Sequence, residues 1–439
     1  MNFIKSYISL LLNKFLVSIT TIATAILSAR LLSQGEFGAI ASVIATMGII
    51  IRFSSFGLAQ SSQHFGAKDY PTYRGYLVPI IFSLAPVFLI TSIIGIYLDD
   101  ILSGFNTFDN ELIEIYAELK IGLSLMLIHF CLSMYFLGSE QQKKYLLVSI
   151  LPVFITLICV LIGFFQPNPI HIVILGWKLQ LILGGFICII LAFYNIFTNI
   201  ELQKNLFSRI NKLYAYGFKS VLVVTINFAI TRISIVIASA FSLTQVAIFV
   251  IARSFTEIFS LIYGALGATL FSSISRQDND DKAISLFLKT LRISNILFFL
   301  FSFLLLLLAK LLIPLIFGEK YITSVVVVYF LIPGAFFNTQ QRLCENFLFG
   351  MGAQTNILFY QIPNLFLLSF LLFILIPEYG AKGMAVATSI SYFFSFFSVI
   401  FIIYKKYRLK ASDFIVLNYK DTQIISSMIK KSKYKLFKK

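Results

Sequence analysis

The stretch ISLLLNKFLVSITTIATAILSARL, Ile8–Leu31, is apolar along most of its length and decides the class of the fold. A helix of about 20 residues spans the ~30 Å hydrocarbon core of a bilayer at about 1.5 Å per residue. The stretch is longer than the apolar core of a signal peptide, which has about 7 to 15 residues. We therefore expect a retained first transmembrane helix.

Similar apolar runs recur along the whole chain, which has 59% hydrophobic residues, 12% charged residues and a mean hydropathy of +0.90. Soluble domains have about 25% charged residues. The pattern predicts an all-α polytopic membrane protein, with about twelve transmembrane helices in two six-helix bundles around a central cavity. The predicted spans are 8–31, 37–58, 76–98, 112–137, 145–165, 171–195, 214–240, 246–271, 286–309, 322–350, 355–376 and 381–404.

Lysine and arginine are concentrated in alternate connections, and by the positive-inside rule both termini are then cytoplasmic. The polar connection Thr198–Tyr214 divides the spans into two sets of six. We predict an N-terminal bundle (1–200), a cytoplasmic linker (201–213), a C-terminal bundle (214–405) and a basic cytoplasmic tail (406–439). The segments after the first and seventh spans, LSQGEFGAIASVIA and FSLTQVAIFVIARS, are weakly alike, which fits a duplicated six-helix unit.

Charged residues within the predicted spans point to function. In IIIRFSSFGLAQ, Ile49–Gln60, Arg52 lies at membrane depth, where an isolated arginine costs about 2.5–3.5 kcal/mol on insertion scales. Such side chains should face the protein interior or a hydrated cavity. The charged residues at these positions are Lys14, Arg52, Arg232, Arg253, Glu257, Arg342 and Glu345.

Spacing divides these residues into two groups. Arg253 and Glu257 are four apart, and Arg342 and Glu345 three apart, so each pair is able to form an ion pair on one helix face, with a structural or a functional role. Arg52 and Arg232 have no carboxylate within one turn. Lys14 either faces the cavity or extends to the headgroups. Counting residues from the helix ends puts Lys14, Arg52 and Arg342 in the cytoplasmic half and Arg232 and Arg253 in the outer half.

The excess of cations favours an anionic ligand. The first span has no acidic residue, whereas a pump for organic cations needs a carboxylate in its cavity. Arginine suits phosphate, because its planar guanidinium donates two parallel hydrogen bonds and stays protonated. No catalytic, metal-binding or nucleotide-binding motif is present, so we expect neither an enzyme nor a cofactor. The basic tail suits anionic lipid headgroups rather than nucleic acid.

Three segments resemble a known family: ARLLSQGEFGAIASVIATMGIIIRFSSFGLAQSSQHFGAK near the start, VAIFVIARSFTEIFSLIYGALGATLFSSIS in the middle and LLIPLIFGEKY before the closing spans. They are similar to Wzx-type polysaccharide (O-antigen) flippases of the MOP/MATE superfamily. The resemblance implies two bundles around a cavity, and transport of an undecaprenyl-diphosphate-linked oligosaccharide from the cytoplasmic to the periplasmic leaflet of the bacterial inner membrane.

The resemblance also implies site residues. Arg52 and Arg253 match cavity arginines that are thought to hold the diphosphate in the related lipid II flippases. Ser18 and Thr24 stand where those proteins have first-helix arginines, and Lys14 is the substitute offered here. We expect Arg52, Lys14 and Arg342 to capture the anion and Arg253 and Arg232 to hold it later.

Further roles and alternatives remain open. Glu257 and Glu345 are candidates for ion coupling, and a polysaccharide polymerase is a candidate partner. The alternatives are a lipid II flippase, a drug antiporter of the MATE branch, and an O-antigen polymerase or ligase. The last needs a large periplasmic loop, and the loops predicted on that side are short.

Overall fold

The computed structural model describes residues 2–69, 75–104, 109–198, 205–274, 277, 279–353, 355–410 and 413–414. In these ranges the chain forms helices and turns and contains no strand. The helices are α1 (Asn2–Leu31), α2 (Gln34–Ser54), α3 (Leu58–Asp69), α4 (Leu77–Gly104), α5 (Asn110–Leu119), α6 (Ile121–Gly138), α7 (Gln142–Gly163), α8 (Pro169–Thr198), α9 (Leu206–Ser239), α10 (Leu243–Thr256), α11 (Ile258–Ile274), α12 (Asp280–Phe317), α13 (Ser324–Gly350) and α14 (Thr355–Tyr407), with a 3-10 turn at Glu319–Tyr321.

All twelve predicted spans overlap helices, and the all-α polytopic fold is confirmed. The second predicted span, 37–58, also includes the turn at 55–57 between α2 and α3. Among the described residues, 8 helices are long and apolar enough to cross a membrane on their own. The α10–α11 pair, α1 and α13 supply three further spans, and α14 contains two. Aromatic side chains on the outside of α14 fit a lipid-facing surface, because Phe366 and Phe370 are 71% and 64% exposed, whereas Leu368 between them is buried.

Two predicted spans are interrupted within the membrane. The fourth divides at Lys120 into α5 and α6, and the eighth divides at Glu257 into α10 and α11. A third break, at Gly380 in α14, separates the eleventh span from the twelfth, as predicted. The φ of Gly380 is 54° and its ψ is −129°, a conformation that glycine adopts without strain. Gln245 Oε1 accepts a hydrogen bond from the backbone N–H of Ala381 at 2.9 Å and so caps the helix that follows the break.

The two segments with weak sequence likeness begin in the same way. Ser33 caps α2 in a capping box with Glu36, and Ser242 caps α10 by accepting a hydrogen bond from the backbone N–H of Gln245. The two helices also pack directly against each other, which is the arrangement expected of equivalent helices in two repeats. The exact domain boundaries remain a prediction, and residues 201–204 and 415–439 lie outside the described ranges.

We call α1–α8 the N-lobe and α9–α14 the C-lobe. At one end, three side chains join the lobes, and we call this group the clasp: Arg30, Gln34 and Lys320. Arg30 Nε donates to Ile316 O at 2.8 Å, and its Nη2 donates to Leu315 O. In return, Lys320 Nζ donates to Arg30 O at 3.2 Å and to Leu32 O, while Gln34 Nε2 donates to Lys320 O. Each lobe thus places a cation on the terminal carbonyls of a helix in the other lobe, where the helix dipole favours positive charge.

At the opposite end, the first turns of α9 pack against the N-lobe. Ser61 Oγ donates to Leu213 O at 2.6 Å, and Tyr214 OH donates to Ser83 O at 2.7 Å. The rings of His64 and Tyr216 stack with their centroids 4.3 Å apart. Helix α9 therefore belongs by sequence to the second half of the chain but is attached to both lobes.

The α2–α10 contact depends on Gly38, since a Cβ added there would lie 1.9 Å from Leu243 O. We expect Gly38→Ala to lower the midpoint of thermal unfolding of the purified protein, because the two helices must separate to admit the methyl group. Gly35→Ala is the matched control in the same helix, since its Cβ would lie 3.6 Å from Glu111 Oε2, an ordinary contact distance. Equal midpoints for both variants would contradict the close packing of α2 on α10.

Candidate anion-binding cavity

A cavity of about 340 Å³ lies within the C-lobe, between α9, α10, α11, α13 and α14. The side chains that line it are mostly polar or aromatic, although the helices that carry them are largely apolar. Among the described residues, its lining includes the charged side chains Arg232, Arg253, Glu257 and Arg342, the polar side chains Thr231, Thr256, Asn338, Thr339 and Thr388, and the aromatic rings Phe228, Phe249, Phe259, Tyr263 and Tyr392.

Arg253 and Glu257 form the ion pair that their spacing predicts, with Arg253 Nε 3.2 Å from Glu257 Oε1. Arg253 Nη1 also donates to Thr231 O of α9. The pair lies at the break between α10 and α11, where Arg253 O accepts hydrogen bonds from the backbone N–H of Glu257 and the hydroxyl of Thr256, both at 2.8 Å. The Arg253 side chain is 15% exposed and the Glu257 side chain 51% exposed. The carboxylate is thus the accessible member of the pair.

Arg52 and Arg232 both lie near one aromatic ring, that of Phe228. The guanidinium carbon of Arg52, on α2, is 3.4 Å from the ring centroid of Phe228, and that of Arg232 is 5.9 Å from it. Arg52 also contacts the Phe130 ring at 5.1 Å and donates from Nη1 to Gly48 O at 3.3 Å. A ring face attracts a cation. Phe228 therefore holds two like charges near each other and carries the N-lobe arginine to the wall of the C-lobe cavity.

Arg342 enters the same cavity from α13. Its Nη2 lies 3.5 Å from Asn227 Oδ1, and its guanidinium carbon is 5.9 Å from the centroid of the Tyr263 ring. Arg232, Arg253 and Arg342 therefore line one cavity, although they lie on three different helices. Their depths in the membrane remain a prediction.

Glu345 is buried and does not line the cavity. In the described part of the chain it makes no ion pair with Arg342, contrary to the pairing that their spacing allows. Instead, Glu345 Oε1 accepts hydrogen bonds from Gln341 Nε2 and Gln361 Nε2, each at 3.1 Å, and from Tyr360 OH. Three donors on one oxygen stabilise a buried carboxylate without a salt bridge.

The side chain of Lys14, the remaining predicted site residue, lies outside the described residues. The basic segment at 430–439 lies outside them as well. The cavity residues that the sequence reasoning missed are aromatic and amide side chains. Phe228 and Asn338 lie four residues before Arg232 and Arg342, so they share a helix face with them. That spacing is the signal that identifies them.

Among the described residues, the charged side chains that line the cavity are three arginines, Arg232, Arg253 and Arg342, and one glutamate, Glu257. They leave an excess of two positive charges. Unpaired cations at membrane depth are costly, so a site with this excess favours an anionic ligand. The aromatic and amide groups around it suit hydroxyl-bearing parts of the same ligand.

Comparison with known families identifies the family of the chain. A family model described as "Polysaccharide biosynthesis protein" matches residues 27–326. The chain belongs to this polysaccharide biosynthesis family. The matched region contains the clasp and the cavity residues Arg52, Arg232, Arg253 and Glu257. No curated protein has a significant sequence match to the chain.

Solved structures show how the family member folds. An inward-facing multidrug resistance MATE family transporter of the MOP superfamily is similar with a TM-score of 0.71, 13% identity and coverage of 90% of this chain and 96% of that one. Lipid II flippase MurJ, in an inward closed conformation, is similar with a TM-score of 0.70 and 14% identity, and the match covers 92% of this chain and 88% of that one. A MOP superfamily transporter from Pyrococcus furiosus, with a binding pocket of reverse polarity, is similar with a TM-score of 0.55 and 13% identity, and the match covers 91% of this chain and 95% of that one. The polysaccharide biosynthesis protein therefore has the MOP superfamily fold, and it is a multi-pass membrane protein.

Proposed function

We propose that this protein is a flippase that moves an undecaprenyl-diphosphate-linked oligosaccharide from the cytoplasmic to the periplasmic leaflet of the bacterial inner membrane. The observation that carries the proposal is a polar cavity lined by three arginines, Arg232, Arg253 and Arg342, in a protein of a polysaccharide biosynthesis family. A fourth arginine, Arg52, packs on Phe228 in the cavity wall. No comparable set of carboxylates lines the described cavity, which disfavours an organic cation as cargo.

The charge of a lipid-linked diphosphate matches the cavity. A diphosphate esterified at both ends carries one negative charge on each phosphate, which balances the excess of two positive charges. Each phosphate accepts paired hydrogen bonds from a planar guanidinium. The sugars would occupy the hydrated part of the cavity, while the polyprenyl chain stays in lipid, because it gains nothing by leaving an apolar environment.

The proposed mechanism is alternating access between the two lobes. With both termini in the cytoplasm, the clasp closes the periplasmic end, and the substrate would enter from the opposite side. Arg52, helped by Lys14, would capture the diphosphate first, because it belongs to the N-lobe and reaches the cavity across Phe228. Arg232, Arg253 and Arg342 would then hold it while the clasp opens. The basic tail would bind anionic lipids at the cytoplasmic surface.

Two carboxylates are candidates for coupling transport to an ion gradient. Glu257 is half-exposed beside Arg253, and Glu345 is buried among amide and phenol donors. A polysaccharide polymerase remains a candidate partner, because it would consume the translocated product. A lipid II flippase is the second candidate function, favoured by the fold that the chain shares with MurJ. Ser18 and Thr24, at the positions where the resemblance implies arginines in lipid II flippases, argue against it.

The test is a flipping assay in proteoliposomes that contain the purified protein. We expect movement of undecaprenyl-diphosphate-linked oligosaccharide across the bilayer, and much slower movement of an undecaprenyl monophosphate bearing the same sugars, since the cavity charge would be under-balanced. Preferred movement of lipid II would favour the second candidate. Export of organic cations without lipid movement would refute the proposal.

A further inference from the structure

Glu257 occupies hydrogen-bond donors that the proposed substrate also requires. Glu257 Oε1 lies 3.2 Å from Arg253 Nε, and the backbone carbonyl of Thr231 takes Nη1 of the same guanidinium. A phosphate that binds Arg253 in the usual paired geometry uses the same edge. The diphosphate and the carboxylate therefore compete for Arg253.

The two members of this pair differ in exposure. Arg253 is 15% exposed and is held by α9 through Thr231, whereas Glu257 is 51% exposed and lies at the break between α10 and α11. When a stronger anion arrives, the carboxylate is the group able to leave. It would leave into the cavity, because Glu257 is part of the cavity lining.

We infer that Glu257 is a tethered competing ligand of Arg253, which the diphosphate displaces, and that the released carboxylate then accepts hydrogen bonds from hydroxyls of the first sugar. The inference rests on the proposed function. Glu257 is the one carboxylate among the described residues that line the cavity. Carboxylate oxygens accept hydroxyl hydrogen bonds, and Tyr263, Tyr392 and Asn338 on the same wall offer aromatic faces and an amide for the rest of the sugar.

This arrangement makes Glu257 a specificity residue. A bare inorganic diphosphate breaks the Arg253–Glu257 pair and supplies no sugar hydroxyl to the displaced carboxylate. A sugar-linked diphosphate breaks the same pair but supplies hydroxyls to the released group. Discrimination between ligands often depends on such a penalty against the wrong one. The cavity would thus reject free diphosphate and polyprenyl diphosphate that lacks its sugar.

The experiment measures binding to the full-length protein in lipid nanodiscs by calorimetry, with inorganic pyrophosphate and a short-chain polyprenyl-diphosphate sugar as probes. We expect Glu257→Gln to bind inorganic pyrophosphate about tenfold more tightly than the wild type, as a charge-assisted hydrogen bond to the competitor is lost. The preference for the sugar-bearing probe should fall by a similar factor. Glu118→Gln, an exposed glutamate on α5 that does not line the cavity, is the matched control and should change neither affinity.

A double mutant separates displacement from a general electrostatic effect. In an Arg253→Ala background, Glu257→Gln should tighten pyrophosphate binding much less than it does in the wild type, because only its long-range effect on Arg232 and Arg342 remains. An equal gain in this background, or no gain in the single mutant, would overturn the inference while leaving the flippase proposal intact. Absence of pyrophosphate binding by every variant, together with absence of lipid flipping, would refute both. Glu257→Ala, which also removes the competitor, provides a second variant if Glu257→Gln fails to fold.

Discussion

Arg52→Ala is expected to reduce display of the surface polysaccharide by at least about tenfold in a strain that depends on this protein. Arg52 is the N-lobe arginine at the cavity, and a charge-assisted hydrogen bond contributes about 1.5–3 kcal/mol. Arg52→Lys should retain part of the activity, because lysine keeps the charge but loses the planar guanidinium that stacks on Phe228. Immunoblots of the polymer and of the protein measure both quantities.

Lys310→Ala is the control for the loss of one cation, since Lys310 is exposed on α12 and does not line the cavity. It should leave polymer display unchanged. If Arg52→Ala also left the polymer unchanged at normal protein levels, Arg52 would have no part in substrate capture.

A covalent bridge across the clasp is expected to abolish transport. In Gln34→Cys, Lys320→Cys, a short bifunctional thiol reagent should join the N-lobe to the C-lobe at positions that are in contact through Gln34 Nε2 and Lys320 O. Because alternating access requires these lobes to separate at the clasp, the cross-linked protein should lose flipping activity in proteoliposomes. A reducible linker allows the activity to be restored by reduction. The four native cysteines are buried, which limits side reactions.

The matched control bridges two helices of the same lobe. Ser92 and Ser124, on α4 and α6 of the N-lobe, have hydroxyl oxygens 2.7 Å apart. A disulfide in Ser92→Cys, Ser124→Cys should leave flipping largely unchanged, since neither helix leaves its lobe. Full activity of the protein cross-linked at the clasp would show that the two lobes do not need to separate there.

The fold was predictable from hydropathy because each span is a local property of its own residues. Sequence also located the division at Gly380, since the polar and small residues between the last two spans interrupt the apolar pattern. The breaks at Lys120 and Glu257 were not predicted. Both residues keep right-handed helical backbone angles, so no glycine or proline marks the interruption.

Part of the site was predictable for the same local reason. The Arg253–Glu257 pair forms within one helix turn, as its spacing indicates. The Arg342–Glu345 pair does not form, because Glu345 faces Tyr360 and Gln361 on α14. The hydrogen bonds that these two residues donate to Glu345 take the place of an ion pair with Arg342. The helix that packs against a given face is set by the tertiary structure, and it cannot be deduced from a single sequence.

Contacts between the lobes were the least accessible to sequence reasoning. Arg52 contacts the Phe228 ring only because α9 packs on α2, and the two residues are far apart along the chain. The clasp depends likewise on the approach of Lys320 to the end of α1. Both contacts join residues from different lobes, so they are evident only in the folded structure.

Native mass spectrometry of the protein, released from its own membrane in mild detergent, identifies the lipid that the arginine-lined cavity binds. We expect a co-purified lipid whose mass and fragments identify a polyprenyl diphosphate bearing sugars, and its loss in the double variant Arg232→Glu, Arg253→Glu. Recovery of ordinary phospholipids alone, or equal retention of the diphosphate lipid by the charge-reversed variant, would contradict the assignment of the arginine-lined cavity as the diphosphate site.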